Sequence, residues 1–330
     1  MDGRNLLGKT LNKNILSADG ALFLPENTVL TEKHLALLKQ FSVKLNEEDV
    51  DDDSSTMSRV IQRAMDEIKT IFQIAKSSDR VFIRDMAEQT VSLIRHTAES
   101  CNLQQIMAIL QGKDDYTYRH SVAVAILAAL MGKWLGLAEH DLHNLSIAAL
   151  LHDIGKAHIP ESILTKPARL TQEEYELVKR HTIVGYHFIN DLPGLSEEHA
   201  IVALQHHERL DHSGYPYALG VETHYFSRIV SVSDVFHAML SRRPYKEAAP
   251  FYKVVKEMHD GAFGQFDPTV INTFTSKAME ALIGNEVLLS DGGTAQIIQL
   301  NPHDLPNPLV VRGELFIDLS LSPELHIERV

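Results

Sequence analysis

The residues of this sequence best suited to chemistry are histidines and aspartates that recur on successive predicted helices. Imidazole and carboxylate groups without a thiolate suit iron, manganese or zinc. Seven such groups exceed the needs of one ion, so the simplest interpretation is two ions that share a bridging carboxylate. Paired ions of this kind serve in phosphodiester hydrolysis. The seven residues are His120, His152, Asp153, His181, His206, His207 and Asp234.

Each of these residues has a simpler explanation when it is considered alone. A single histidine on an apolar helix face is usually a satisfied core residue, and the His152-Asp153 pair could decorate a helix end. The adjacent His206 and His207 cannot share one helix face unless the chain unwinds there. Asp234 stands among apolar neighbours, where a carboxylate is costly unless it is paired or metal-bound. A shared metal site explains all of these features at once.

Signals at helix ends predict the elements that must position these side chains. Thr171 with Glu174 forms a capping box, which begins the helix that carries His181. Gly155 is predicted to be the C′ residue that ends the helix with the His-Asp pair in its last turn. The five predicted helices begin at Asp115, at about residue 138, at Thr171, at about Ser196 and at about residue 227. The second is predicted to end at about residue 154 and the fifth at about residue 240.

The chain is predicted to be mainly α, with a small N-terminal α/β unit and a short β-rich C-terminal tail. Two apolar runs around Asp19-Gly20 predict a hairpin, and a short helix is predicted from Thr31 to about Phe41. The acidic stretch at 47–53 is predicted to be a solvated linker. The predicted domains are 1–53 for the α/β unit and linker, 54–111 for a helical connector, 112–283 for the domain with the seven residues, and 284–330 for the tail.

Composition limits the classes of protein to which the chain can belong. A net charge of −13 argues against binding a nucleic acid polymer, because that affinity comes mostly from neutralised phosphates. The single cysteine, Cys101, excludes an intrachain disulfide framework and indicates a reducing compartment. The N-terminus lacks a signal-peptide pattern, and the longest apolar run, residues 122–131, is too short to span a bilayer. We therefore expect a soluble, cytoplasmic protein that does not enter the membrane.

A larger set of residues resembles the HD-GYP family, a branch of the HD superfamily of metal-dependent phosphohydrolases. The resemblance covers about residues 115–246 and is specific, because many unlike residues agree in order and spacing. It implies a helical HD-type bundle. The matching segments are Tyr116-Thr117-Tyr118-Arg119-His120-Ser121, His152-Asp153-Ile154-Gly155-Lys156, Ile159-Pro160, Ile163-Leu164, Lys166-Pro167, Leu170-Thr171, Glu174, His181, Gly185, His206-His207-Glu208-Arg209, Asp211, Gly214-Tyr215-Pro216, Asp234 and Arg243-Pro244-Tyr245.

The resemblance implies two divalent ions per chain, with iron or manganese favoured and zinc, magnesium, nickel or cobalt as alternatives. It also assigns each of the seven residues to an ion, with Asp153 as the bridge. The first ion would be held by His120, His152, Asp153 and Asp234, and the second by His181, His206, His207 and Asp153.

The substrate implied by the resemblance is cyclic di-GMP, a bacterial second messenger that the family opens to linear pGpG and sometimes on to GMP. A hydroxide that bridges the two ions would attack phosphorus in line with the 3′ oxygen. Asp153 and Lys156 would be catalytic, with Lys156 facing the phosphate. Tyr215 would stack near a guanine. The implied substrate-binding residues are Gly214, Tyr215, Pro216, Arg243 and Lys246.

Three positions depart from the family pattern. Tyr116 replaces a glutamate that binds a third ion in some members, so we expect two ions. His212 stands where the family usually has glycine. If that position needs a positive φ, histidine tolerates it less well than glycine, and the loop would be altered. His237 replaces a frequent aspartate three residues after Asp234. The resemblance therefore does not define the local contacts near the substrate at this position.

Two alternative functions would use the same HD-type domain. One is an HD phosphohydrolase that acts on another cyclic dinucleotide or a nucleotide. The other is a sensor or scaffold that binds cyclic di-GMP without turnover, although a pure binder gains little from all seven ligands. Candidate partners are GGDEF-type or other signalling proteins and a second copy of the chain. Residues 1–110 do not reveal which signal acts on the protein.

Overall fold

The protein is described here by a computed structural model. The structure describes residues 49–51, 53–77, 81–100, 116–241, 251–261 and 264–329, with short stretches and single residues before 49 and at 103 and 106. The chain divides into two compact units, Met1–Arg63 and Ala64–Val330. Arg243, Lys246 and Asp115 lie outside the described residues.

The N-terminal unit contains two small antiparallel pairs of strands. Strand β1 (Thr10–Leu11) pairs with β4 (Val50–Asp51), and β2 (Ile15–Leu16) pairs with β3 (Leu22–Leu24). The predicted hairpin is therefore confirmed in its strands. Of the helix predicted over residues 31–41, only Leu38 and Lys39 are described, and both are helical. The buried apolar residues of this unit are Leu11, Ile15, Leu24, Leu30, Leu38 and Leu45.

Asp49, a described residue of the acidic stretch at 47–53, is not solvated as the composition of this stretch predicts. Asp49 is only 5% exposed, and its carboxylate lies 2.6 Å from the ammonium of Lys13. The next two residues form β4, and Asp53 begins a helix. A run of acidic residues suggests solvation, but one lysine partner and one strand neighbour are enough to bury part of this run.

The rest of the described chain is mainly helical, as predicted. The helical stretch predicted at 57–75 lies on the first helix. The second stretch, predicted at about 84–110, is helical to Ser100, and most of its remainder lies outside the described residues. The later helices agree with their predicted positions within a few residues. The helices are α1 (Asp53–Ala75), α2 (Ile83–Ser100), α3 (Tyr116–Trp134), α4 (Glu139–Leu151), α5 (Glu161–Leu164), α6 (Gln172–Lys179), α7 (His181–Asn190), α8 (Glu197–Gln205), α9 (Tyr225–Leu240), α10 (Phe251–Asp260) and α11 (Pro268–Glu280).

Helix α3 is the central element of the second unit, Ala64–Val330, which is called the helical unit below. Every residue from His120 to Gly132 is buried, and α3 packs against α2, α4, α9 and α11. A helix that is apolar on all sides must be surrounded by protein or by lipid. Its long apolar run is thus explained by the core. Among the described residues, no helix combines the length and the apolar character required to cross a membrane.

The end of α4 differs from the prediction at Gly155. The helix ends at Leu151, and Gly155 lies in a 3-10 turn at Ile154–His158 instead of acting as a C′ residue. A Cβ atom at Gly155 would come within 1.9 Å of the carbonyl oxygen of His181. Glycine is therefore needed here for close approach between the α4 end and the α7 start, and not for a left-handed helix end.

The C-terminal tail forms a five-stranded antiparallel sheet. Four of its strands match the strands that the sequence predicts at 287–289, 294–300, 308–312 and 314–319, whereas the last strand was not predicted because it is short and mostly polar. The strands are β5 (Glu286–Leu289), β6 (Thr294–Gln299), β7 (Leu309–Arg312), β8 (Leu315–Asp318) and β9 (Ile327–Arg329), and their order across the sheet is β8-β7-β6-β5-β9.

Candidate metal centre

The seven side chains predicted from the sequence come together in the helical unit. They reach the centre from α3 and α9, from the ends of α4 and α8, and from the start of α7. Their donor atoms form two groups, and the donors in each group lie within 4.8 Å of one another. One group contains His120, His152 and Asp234, and the other contains Asp153, His181, His206 and His207.

Asp153 faces both groups, with a different oxygen atom toward each. Its Oδ1 lies 3.3 Å from Nε2 of His181 and 3.7 Å from Nε2 of His206. Its Oδ2 lies 3.4 Å from Nε2 of His152 and 3.8 Å from Nε2 of His120. A carboxylate in this position can bridge an ion in one group to an ion in the other.

Asp234 connects the same two groups from the side of α9. Its Oδ1 lies 2.9 Å from Nε2 of His120, and its Oδ2 lies 3.6 Å from Nδ1 of His207. His206 is the C-cap residue of α8 and His207 follows it, so the helix has already ended where both imidazoles turn inward. The two adjacent imidazoles therefore lie in the same donor group, because the chain leaves the helix between them.

Backbone carbonyls fix the orientation of three imidazole rings. Nδ1 of His152, His181 and His206 lies 2.7, 2.6 and 3.0 Å, respectively, from the carbonyl oxygen three residues earlier in the chain. Because a carbonyl oxygen can only accept, each Nδ1 carries the proton. Each Nε2 then offers a lone pair to the centre, as in metal-binding histidines whose second nitrogen is held by a hydrogen bond.

Two buried polar atoms in the centre fit a metal-binding role. Among the described residues, Nε2 of His152 and Oδ1 of Asp153 are buried and have no hydrogen-bond partner. Buried polar atoms without a partner are costly, and most native proteins avoid them. Nitrogen and oxygen donors with no thiolate suit a divalent ion such as iron, manganese or zinc, which would satisfy both atoms.

The two aspartates are held in the ionised form that metal binding requires. Burial acts to raise the pKa of Asp153, but the ammonium of Lys156 and the imidazole of His152 hold it well below its ordinary value. Burial likewise opposes a low pKa for Asp234, and the adjoining imidazoles of His120 and His207 lower it well below its ordinary value. Both carboxylates are therefore ready to accept a cation at neutral pH.

Most of the histidines are held in the neutral form. Burial and the neighbouring imidazoles lower the pKa of His206 and of His207 well below the usual value. Burial also lowers the pKa of His120, against the raising effect of Asp234. His152 differs from these three, because Asp153 raises its pKa despite the opposing effect of burial. Neutral imidazoles can ligate an ion, whereas protonated ones cannot.

Lys156 lies beside the bridging carboxylate. Its Nζ donates to Oδ2 of Asp153 at 2.5 Å, and the side chain is partly exposed. An ammonium has three N–H donors, so this bond leaves the group able to donate to a phosphate as well. Lys156 was predicted to face phosphate, and its contact with Asp153 was not predicted.

The Gly214-Tyr215-Pro216 segment lies next to the second group of donors. The ring of Tyr215 is 4.6 Å from the ring of His207, centroid to centroid. A Cβ atom at Gly214 would come within 2.4 Å of the backbone nitrogen of Arg209, so only glycine fits there. Burial, with smaller effects from Tyr175 and nearby aspartates, raises the pKa of Tyr215, so its phenol stays neutral.

Glu208 anchors this loop, a role that the sequence analysis missed. Its carboxylate is buried and accepts hydrogen bonds from the backbone N–H groups of Tyr217, at 2.7 Å, and Leu219, at 3.0 Å. The loop thus has a fixed path past His207. The position of Glu208 directly after His206 and His207 could have marked it as a functional residue. Its role as an acceptor, however, depends on how the loop folds back onto it.

His212 adopts the positive φ that the sequence analysis raised as a condition. Its φ is 63°, a region that favours glycine. Nδ1 of His212 lies 2.7 Å from the carbonyl oxygen of Ala218, which ties its ring to the same loop. The substitution therefore adds a local hydrogen bond at a strained position.

His237 occupies the other position where the sequence departs from the family pattern. It is buried, and its Nδ1 lies 2.9 Å from Nδ1 of His120. Nε2 of His237 lies 3.2 Å from Oγ of Ser241. The residue thus contacts a metal-ligand candidate rather than the surface. Tyr116 also stacks on His120, with ring centroids 5.5 Å apart.

Comparison with known proteins gives consistent results. The HD domain family model matches residues 104–270. A cyclic di-GMP phosphodiesterase of Pseudomonas aeruginosa is 32% identical over 72% of this chain and 57% of its own length. A 3′3′-cGAMP-specific phosphodiesterase of Vibrio cholerae is 35% identical over 55% of this chain and 43% of its own length. The chain thus spans about half the length of these curated relatives.

A solved structure shows the same fold. The HDGYP protein Bd1817 of Bdellovibrio bacteriovorus superposes with a TM-score of 0.54, covering 82% of this chain and 96% of that one at 17% identity. The family match covers half of the chain, and the structural match extends the likeness of fold beyond it. The chain belongs to the HD domain family, and its resemblance to the HD-GYP branch is confirmed.

Proposed function

We propose that this chain is a metal-dependent phosphodiesterase that hydrolyses cyclic di-GMP to linear pGpG. The observation that carries the proposal is the pair of donor groups joined through Asp153. Paired ions are a recurring solution for in-line phosphodiester hydrolysis. Support for the substrate comes from curated relatives named cyclic di-GMP phosphodiesterases in Pseudomonas aeruginosa, Xanthomonas campestris and Thermotoga maritima.

We assign two divalent ions to the centre, with Asp153 shared between them. When bound, they supply Lewis-acid polarisation of the phosphoryl oxygens and lower the pKa of water. The chain itself supplies fixed imidazole lone pairs and two ionised carboxylates in a buried setting. The proposed ligands are His120, His152, Asp153 and Asp234 for one ion and His181, His206, His207 and Asp153 for the other.

Lys156 and Tyr215 give the chain its hold on the substrate. The ammonium of Lys156 lies at the bridging carboxylate, so it places a positive charge where a phosphate would meet the centre. Tyr215 offers the face of a ring to a guanine beside His207. Arg243 and Lys246 stay predicted phosphate contacts. The overall charge of −13 matters less than this local field.

A second candidate substrate is 3′3′-cGAMP. The observation in its favour is that Vibrio cholerae relatives at 35% and 34% identity are named as specific for it. Both cyclic dinucleotides share the phosphodiester that the centre would act on and differ in one base. The choice between them therefore depends on base contacts and not on the metal ligands.

Liquid chromatography of reactions with purified protein tests the proposal. Protein loaded anaerobically with Fe²⁺ or Mn²⁺ should convert cyclic di-GMP to pGpG, with a higher kcat/KM than for 3′3′-cGAMP. Elemental analysis of the same preparation should give about two ions per chain. Binding of cyclic di-GMP without product would favour the sensor, and fewer than one ion after reconstitution would contradict the two-ion centre.

A further inference from the structure

Three aromatic rings lead from the metal centre toward the solvent. The ring of Tyr215 lies 4.6 Å from that of His207 on one side and 6.5 Å from that of Tyr175 on the other. The rings of Tyr215 and Tyr175 meet edge to face, at 77°. The His207 side chain is 18% exposed, whereas Tyr175 is 44% exposed. Tyr175 is thus the outer end of a short aromatic path.

A single ammonium faces both outer rings. Nζ of Lys179 lies 5.2 Å from the ring centroid of Tyr175 and 5.7 Å from that of Tyr215. Tyr175 and Lys179 are one helical turn apart on α6, so both side chains project from the same helix face. Lys179 also pairs with the exposed carboxylate of Glu176 at 2.8 Å.

The chemistry of this corner matches a nucleotide. Two rings at nearly a right angle offer a face and an edge to a purine, and bases stack on aromatic side chains with little dependence on sequence. The ammonium supplies a point charge for a phosphate oxygen. A cyclic dinucleotide has two bases and two phosphates. The metal centre with Tyr215 accounts for one of each, and the predicted phosphate contacts Arg243 and Lys246 lie outside the described residues.

We propose that Tyr175 and Lys179 form a subsite for the second half of a cyclic dinucleotide, with Tyr175 against its purine and Lys179 at its phosphate. The inference rests on the proposed function and names residues that the metal centre does not use. It follows that the outer subsite favours substrates with a second nucleotide. A small diester such as bis(p-nitrophenyl) phosphate would reach the metal centre without it.

Kinetics with both substrates on one Mn²⁺-loaded preparation test the subsite. Tyr175→Ala and Lys179→Gln should each lower the ratio of kcat/KM for cyclic di-GMP to that for bis(p-nitrophenyl) phosphate by about tenfold, through KM. Matched controls are Tyr217→Ala, which removes a 58% exposed ring from the neighbouring loop, and Glu176→Gln, which breaks the ion pair of Lys179. Both controls should keep the ratio of the wild type.

The outcomes separate the subsite from the function on which it rests. Equal losses on both substrates, an unchanged ratio, or the same loss in Glu176→Gln would overturn the subsite. Wild-type protein that hydrolyses bis(p-nitrophenyl) phosphate but neither cyclic dinucleotide would instead contradict the proposed function. In that case calorimetric titration with cyclic di-GMP decides, since the subsite requires that Tyr175→Ala weaken binding about tenfold.

Discussion

At the scale of single residues, Asp153 has the most consequential position in the centre. Its two oxygens face different donor groups, and Lys156 binds it from outside. Asp153→Ala should abolish turnover of cyclic di-GMP and lower metal content, because it removes the proposed bridge. The chain should stay folded, since the other donors are neutral imidazoles or paired. Chromatography, elemental analysis and circular dichroism measure the three quantities.

A matched control uses a carboxylate away from the centre. Asp191 is the exposed C-cap residue of α7, and Asp191→Ala should keep metal content and turnover. If Asp153→Ala hydrolyses cyclic di-GMP at a rate near that of the wild type, the proposed centre is misassigned.

His237 gives a second prediction at this scale. A metal-binding His120 uses Nε2, so its Nδ1 carries the proton and donates to Nδ1 of His237. His237→Phe removes that acceptor and should weaken metal binding about 10–100-fold, as the loss of a residue that hydrogen-bonds to a metal ligand typically does. Competition with a fluorescent chelator measures the affinity. His237→Asp should retain the affinity, because a carboxylate also accepts the proton.

The control for His237 is the exposed His303, whose replacement by Phe should not change metal affinity. If His237→Phe binds both ions as tightly as the wild type, the hydrogen bond does not position His120. The sequence predicted, from residue type and order, all seven side chains that the structure brings together as candidate donors. It could not reveal the contact of His120 with His237, because the two residues are 117 positions apart and meet only through the packing of α3 on α9.

At the scale of elements, the loop after α8 depends on one buried carboxylate. Glu208→Ala would leave the N–H groups of Tyr217 and Leu219 without their buried acceptor, a loss of about 1.5–3 kcal/mol for a hydrogen bond to a charged group. We expect faster hydrogen exchange over residues 209–222 and a higher KM for cyclic di-GMP, with metal content retained. Mass spectrometry of exchange and steady-state kinetics measure these effects.

Asp211 provides the comparison for Glu208. It caps the same loop from the exposed side by accepting from the N–H and hydroxyl of Ser213, and Asp211→Ala should have a smaller effect on exchange. Exchange as slow in Glu208→Ala as in the wild type would show that the loop does not need this anchor.

Helix ends show what sequence can and cannot predict about elements. The capping box of Thr171 and Glu174 was predicted and is confirmed, because capping is a local interaction between neighbours in the chain. The assignment of Gly155 as a C′ residue was wrong, because its glycine is required by the carbonyl of His181, on another helix. Local signals predicted where helices begin, and close approach between helices required the structure.

At the scale of the whole molecule, stability should depend on pH through a histidine outside the metal centre. His199 lies near the start of α8, and its Nδ1 accepts from the backbone N–H of Ser196 at 3.0 Å. It is mostly buried, and burial lowers its pKa below the usual 6.5 despite the opposing charge of Glu198. Glu88 on α2 and His143 on α4 also face it, with opposite effects on the pKa.

The direction in which pH changes the free energy of unfolding follows from the pKa of His199 in the folded and unfolded chains. As pH falls below 6.5, the unfolded chain binds a proton at this histidine more readily than the folded chain does. The contribution to the free energy of unfolding is therefore fully present above 6.5 and is lost as pH falls toward the lowered pKa. Protonation of Nδ1 would also remove the acceptor for the Ser196 N–H, and α8 carries the metal-ligand candidates at its other end.

His199→Gln isolates this effect, because an amide oxygen can take the same capping position without titrating. Urea unfolding at pH 7.5 and 5.5, followed by the fluorescence of Trp134 at the end of α3, should show a larger loss of stability on acidification in the wild type than in His199→Gln. The difference between the two losses cancels the protons that compete for the metal centre, which both proteins share. Equal losses would show that His199 titrates alike in the folded and unfolded chains, and that its burial does not govern the acid stability of the helical unit.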